Sequence, residues 1–141
     1  MTPELQVVFD CADPHRLAGF WAEATGYEIE DHTEQIQSLL AAGQPGVAEA
    51  TVEIDGRLAW REAAACRPPQ KGRPRLLFQV VPESKTVKNR VHLDLHVGDE
   101  GRERWVEHLL ELGATKLWDG EQGPYRWVTL ADPEGNELCV S

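Results

Sequence analysis

Two stretches of the chain follow one plan. VVFDCADPHRLAGFWAEATGYEI (residues 7–29) and LDLHVGDEGRERWVEHLLELGATKL (residues 93–117) each run strand, acidic residue, amphipathic helix, glycine, short strand. A chain that repeats one supersecondary unit must bury the same kind of apolar face twice, which restricts it to folds made of two similar modules. In the first copy Asp13 is a good N-cap and Pro14 suits the first helical position. Leu17, Phe20, Trp21 and Ala24 share a helical face, and Gly26 is a fitting stop. In the second copy Trp105, Val106, Leu109 and Leu110 lie on one side of a helix that ends at Gly113.

The segments around the repeat complete each module. LQVVFDC (residues 5–11) reads as the first strand, and GYEIE as a short second one. DHTEQIQSLLAAGQPG looks like an additional helix, with Asp31 and Glu34 at capping-box spacing and Ile36, Leu39 and Leu40 on one face. ATVEIDGRLAWREA suggests a hairpin turning at Asp55-Gly56. CRPPQKGRP reads as a loop, RLLFQVV as a strand and PESKTVKN as a linker. After it come RVHLDLHV, the second helix, and the strands TKLWDG, YRWVTLAD and NELCVS, with a tight turn at DPEG (residues 132–135). The order is β-α-β-(α)-β-β, then β-α-β-β-β. It implies an α+β protein of two βαβββ modules, residues 1–84 and 88–141, with an extra helix in module one. Two such modules can pack into one cup-shaped mixed sheet with the helices outside.

Charge and composition remove several classes of function. A formal net charge of −10 repels phosphate backbones, so nucleic acid is not an expected partner. No apolar run approaches the roughly 20 residues of a membrane span. MTPELQVVFD lacks the basic and apolar regions of a signal peptide, which points to the cytoplasm. Cys11, Cys66 and Cys139 lack CxxC spacing and suit reduced thiols.

The chemistry-bearing residues concentrate in RVHLDLHV (residues 90–97). With period two, Val91, Leu93, Leu95 and Val97 point one way, and His92, Asp94 and His96 the other. They can be a polar lining that hydrogen-bonds a ligand, a structural network in which Asp94 orients an imidazole, or part of a metal site. Asp10 shares its strand face with Gln6. It can act as a general base or be a buried carboxylate paired to Arg90 or Lys88. Cys139 can be a nucleophile or a small apolar filler. Trp127 and Thr129 share a strand face, and Trp127 is the best aromatic pocket wall. Lys85, Lys88 and Arg90 form a basic cluster at the module junction, suited to an anionic ligand group or to salt bridges. Trp21, Trp105 and Leu109 read as core, and His15, His32 and His108 as solvated.

FDCADPHRLAGFWAEATGY, RLLFQVVPESKTVKNRVHLDLHV and RWVTLADPEGNELCVS resemble the vicinal oxygen chelate superfamily, which includes glyoxalase I, bleomycin-resistance proteins and extradiol dioxygenases. The resemblance covers most of residues 1–141 as one glyoxalase-like domain and is weakest over residues 31–73. It implies four metal-ligand positions, on the first and last strands of each module, typically His or Glu. Counting seven residues back from the helix-capping acid gives His92 and Gln6; the last strands give Gln79 and Cys139. The candidate metal set is therefore Gln6, Gln79, His92 and Cys139. Two neutral amides and no carboxylate balance a dication poorly. A metal-free site is therefore favoured over a divalent metal, and glyoxalase I chemistry itself is disfavoured. His92 and Asp10 remain as candidate catalytic groups, and Gln6, Gln79, Asp94, Trp127 and Cys139 as ligand-binding ones. The expected function is small-molecule binding with lyase- or isomerase-type chemistry. The alternatives are sequestration of an aromatic, antibiotic-like compound and an accessory ligand-binding role. The resemblance also implies a homodimer.

Overall fold

A computed structural model describes residues 1–141 and divides them into two compact units, residues 1–82 and 83–141. The first holds β1 (Gln6–Cys11), α1 (Pro14–Thr25), β2 (Glu28–Ile29), α2 (Thr33–Ala41), α3 (Val47–Ala50), β3 (Thr51–Ile54), β4 (Arg57–Trp60), β5 (Ala63–Arg67) and β6 (Arg75–Val80). The second holds β7 (Leu93–Leu95), α4 (Asp99–Glu111), β8 (Thr115–Gln122), β9 (Tyr125–Ala131) and β10 (Glu137–Val140). The sheets run β1-β6-β5-β2 and β7-β10-β9-β8. In each, the first strand lies parallel to the last, and the other neighbours are antiparallel. Two βαβββ modules of the same topology are thus present, as the repeat implies. None of the helices is long and apolar enough to cross a membrane.

In the first unit, Asp13 caps α1 by accepting from Arg16 N at 3.1 Å, and Gly26 ends it in the left-handed region at φ 72°. The helix buries Leu17, Phe20, Trp21 and Ala24, and packs on β5 and β6. Phe9 lies 5.0 Å from Trp21 and 5.1 Å from Phe78 between ring centroids, so three aromatic rings bridge helix and sheet. The opposite face of β1 leaves Gln6, Val8 and Asp10 exposed.

The weakest stretch of the resemblance contains the largest departures from the sequence reading. The hairpin does turn at Asp55-Gly56, both at positive φ, as a two-residue turn matched to strand twist requires. However, β3 and β4 form a separate two-stranded sheet. The strand of the main sheet is β5, AAACR, whose last residues, Cys66 and Arg67, open the segment that reads as a loop in the sequence. Alanine is a poor strand former, so propensity does not reveal it. Its Ala64, Ala65 and Cys66 are all buried, and only small side chains suit a strand enclosed on both faces. Asp31 caps the N–H of Thr33 at the start of α2, which buries Ile36 while Leu40 stays exposed.

In the second unit Val106 and Leu109 of α4 are buried with Leu130, Leu138 and Val140 of the sheet. Trp105, expected in the core, is half-buried beside His108, with ring centroids 5.3 Å apart. The three histidines expected in solvent are all half-buried with partners: His15 reaches Trp60 O at 2.7 Å, His32 meets Glu30, and His108 meets Trp105.

Candidate functional site

The face of the second sheet turned away from Leu138 and Val140 carries a row of polar and aromatic groups. Strand register places Asp94 beside Cys139, Cys139 opposite Thr129 and Thr129 opposite Trp118, one residue from each of the four strands. Adjacent strands are about 4.8 Å apart, so neighbours along this row are within side-chain reach. Thr129 Oγ1 and Cys139 Sγ are 3.5 Å apart. Regular β7 covers Leu93–Leu95, and bonds from Ser141 N to Leu95 O and from Val97 N to Ser141 O carry the parallel pairing past its end; His92 and His96 flank it on the same face as Asp94. His92 Nδ1 hydrogen-bonds Asp94 Oδ1 at 2.8 Å, and His96 Nδ1 hydrogen-bonds Ser141 Oγ at 2.6 Å.

Trp118 reaches this face through an irregularity. Lys116 pairs with Leu130, yet Trp118 pairs with Thr129, so Leu117 is an extra residue in β8. Strict alternation would put Trp118 on the Leu130 side; the bulge turns it to the polar face. Trp118, Tyr125 and Trp127 with the polar row line a cavity of about 820 Å³, which Lys88, His96 and Glu137 also border. That volume and an apolar wall with a few placed polar groups match small-molecule sites in general.

Glu137 borders the cavity with its carboxylate already engaged. Its Oε1 accepts from Lys85 Nζ and its Oε2 from Asn89 N, each at 3.0 Å. Burial works to raise its pKa, but the Asn89 amide and the Lys85 ammonium outweigh this and hold the group below the usual carboxylate range. Of the junction cations, Lys85 is thus part of a structural pair and Lys88 borders the cavity. Burial pushes the Cys139 thiol up; the Thr129 hydroxyl opposes this and the Asp94 carboxylate adds to it. Cys139 therefore sits at neutral pH as a thiol, which suits a lining group better than a nucleophile.

The remaining candidates lie on the first sheet. Gln79 Nε2 donates to Asp10 Oδ1 at 3.2 Å, so Asp10 has an amide partner within its own sheet. Gln6 Oε1 accepts from Arg75 Nη1 at 2.8 Å, while Arg75 also forks onto Glu30. Gln6 pairs with Arg75 and Gln79 with Asp10, so the two glutamines stand four residues apart along parallel strands, roughly 13 Å at about 3.3 Å per residue. They do not converge. His92 and Cys139 do, together with Asp94: one donor atom from each lies within 4.8 Å of the others.

That trio bears on the metal question. Nitrogen, oxygen and sulfur donors in one place have the mixed character of a zinc site and not that of a hard-ion, all-oxygen site. A borderline divalent ion would be held by His92, Asp94 and Cys139 and would act as a Lewis acid toward a bound ligand. Without it, His92 and Asp94 satisfy each other, as do Cys139 and Thr129. Protein purified without a chelating tag is expected to carry no stoichiometric divalent metal by mass spectrometry. A stoichiometric metal that disappears in His92→Ala would reverse that expectation.

The chain belongs to the glyoxalase-like domain family, whose model matches residues 6–141. Solved structures that share its fold include a glyoxalase/bleomycin resistance/dioxygenase family enzyme, fosfomycin resistance proteins and a bleomycin-binding protein. A glyoxalase/bleomycin resistance protein/dioxygenase family enzyme from Burkholderia phytofirmans PsJN is 16% identical, with TM-score 0.63 over 96% of this chain and 94% of that one. A variant of the fosfomycin resistance protein FosX from Listeria monocytogenes, complexed with Mn(II) and 1S,2S-dihydroxypropylphosphonic acid, is 10% identical, with TM-score 0.62 over 99% and 90%. The bleomycin-binding protein of Streptomyces verticillus, complexed with copper(II)-bleomycin, is 15% identical, with TM-score 0.54 over 100% and 96%. At these identities the likeness is one of fold. No curated protein matches the sequence.

Proposed function

We propose that the protein binds a small organic molecule on the polar face of its second sheet, using His92 and Asp94 as the polar anchor and Trp118, Tyr125 and Trp127 as the wall. The observation that carries this reading is the row Asp94–Cys139–Thr129–Trp118 at the floor of the 820 Å³ cavity. Neighbours of the same fold that bind bleomycin or a phosphonic acid support it. Asp94 fixes the orientation of His92, so the imidazole is the group that would take a proton if the ligand is turned over as well as held. No step passes through a metal. Sequestration without turnover is the second reading, favoured by the protonated thiol and by the engagement of Glu137 with Lys85. A cytoplasmic homodimer completes the proposal.

A thermal-shift screen of small aromatic metabolites tests it. A compound present at one hundred times its Kd stabilises the folded state by about 2.7 kcal/mol and raises Tm accordingly. The shift should fall in His92→Ala and in Trp127→Ala. A compound whose shift survives both substitutions binds elsewhere and contradicts the proposal. Proton NMR of the ligand during incubation separates turnover from sequestration.

A further inference from the structure

Gly120 of β8 stands opposite Trp127 of β9. Its φ is not in the left-handed region, so the backbone gives no reason for glycine there. The reason is the neighbouring indole. A Cβ at position 120 would lie 2.2 Å from Trp127 Cε2, 2.4 Å from Nε1 and 2.5 Å from Cζ2. With Cε2 the nearest atom and its two bonded neighbours slightly farther, the added carbon lies over the ring plane, since an edge-on approach would come between Nε1 and Cζ2 and bring both closer than Cε2. One face of the indole therefore rests on the Gly120 α-carbon. Trp127 also lines the candidate cavity, to which Gly120 does not contribute.

We infer that Trp127 is a stacking platform for a planar aromatic ring of the ligand, and that Gly120 is the positioning residue that sets its height and tilt. The inference rests on the proposed small-molecule site and narrows its ligand class. An indole supported on one side by backbone cannot tilt away from an incoming ring, so its free face is preorganised for stacking. Trp118, one row away and 46% exposed, adds a second aromatic surface that needs no such support. Alanine at 120 is compatible with the backbone and incompatible with the indole, so its effect falls on Trp127 and not on the β8–β9 ladder.

The test uses a pair of neutral probes with one skeleton, planar 2-naphthol and saturated decahydro-2-naphthol. Calorimetry is run on the full chain and on Gly120→Ala. Stacking on an aromatic side chain contributes about 1–3 kcal/mol. Wild type is therefore expected to bind 2-naphthol at least about fivefold more tightly than the saturated probe. In Gly120→Ala that preference should collapse to less than about threefold, with Tm little changed. The ¹⁹F resonance of Trp127 in 5-fluorotryptophan-labelled protein should move. Trp127→Leu supplies the same reading if Gly120→Ala fails to fold: its preference for the planar over the saturated probe should likewise fall below about threefold. Equal affinities in wild type, or an undiminished preference in a folded Gly120→Ala, would overturn the platform and leave the binding site standing. Failure of wild type to bind either probe would count against both.

Discussion

Trp21→Ala is expected to lower the stability of the first unit by about 3–5 kcal/mol, the range for truncating a fully buried large aromatic. Trp21 has no exposed surface and lies at the centre of the aromatic contacts that join α1 to its sheet. Its ring is 5.0 Å from Phe9 and meets Phe20 edge-on at 5.8 Å. Removing it takes away burial and opens a void between rigid elements that cannot close over it. Urea denaturation followed by far-ultraviolet circular dichroism should show a large drop in midpoint with little change in slope. Trp105→Ala, at a half-buried position of α4, is the internal control and should cost less than half as much. Equal losses would mean that burial is not what distinguishes these two tryptophans.

Asp132→Ala is expected to cost about 2–4 kcal/mol and to disturb the candidate site without touching it. Asp132 is buried, and its Oδ1 accepts from Glu134 N at 2.9 Å and Asn136 N at 3.0 Å, while Oδ2 accepts from Asn136 Nδ2 at 2.9 Å. Alanine strands those donors, each worth about 1–3 kcal/mol when buried without a partner. Gly135, at φ 89°, completes the turn by donating its N–H to Asp132 O. This turn launches β10, which carries Glu137 and Cys139, and Asn136 also anchors Asn89 of the linker. Amide resonances of Asp94, Thr129 and Cys139 should therefore broaden or shift in Asp132→Ala. A stable variant with those resonances in place would show that the strand register holds β10 without the turn.

The repeat made the topology legible, because a strand, a capped helix and a terminating glycine are local signals. Asp13, Pro14 and Gly26 act as their residue types suggest. Strand β5 was not legible, since its alanines reflect close packing from both sides, a property of the assembled unit. In the candidate site, the common face of His92, Asp94 and His96 follows from alternation, and the convergence of His92 with Cys139 follows from the pairing of first and last strands. Asp94 as the third member of that cluster depends on register: it stands directly beside Cys139, whereas His92 precedes the ladder. Trp118 was hidden by the bulge at Leu117, which reverses the alternation that a sequence reader must assume. Tyr125, at the start of its strand, carries no signal in the sequence until the hairpin brings it to the cavity. Glu137 could be placed on the face of Cys139, but its engagement by Lys85 and Asn89 needs the linker folded against the turn.

The central claim, that the second sheet's polar face is a small-molecule site, is tested most directly by a ¹H–¹⁵N NMR titration of the whole chain with 2-naphthol. The account predicts saturable shifts at Asp94, Trp118, Trp127, Thr129 and Cys139 that weaken in His92→Ala. Saturable shifts confined to β1, β5 and β6, with the Asp94–Cys139–Thr129–Trp118 row unmoved, would contradict it.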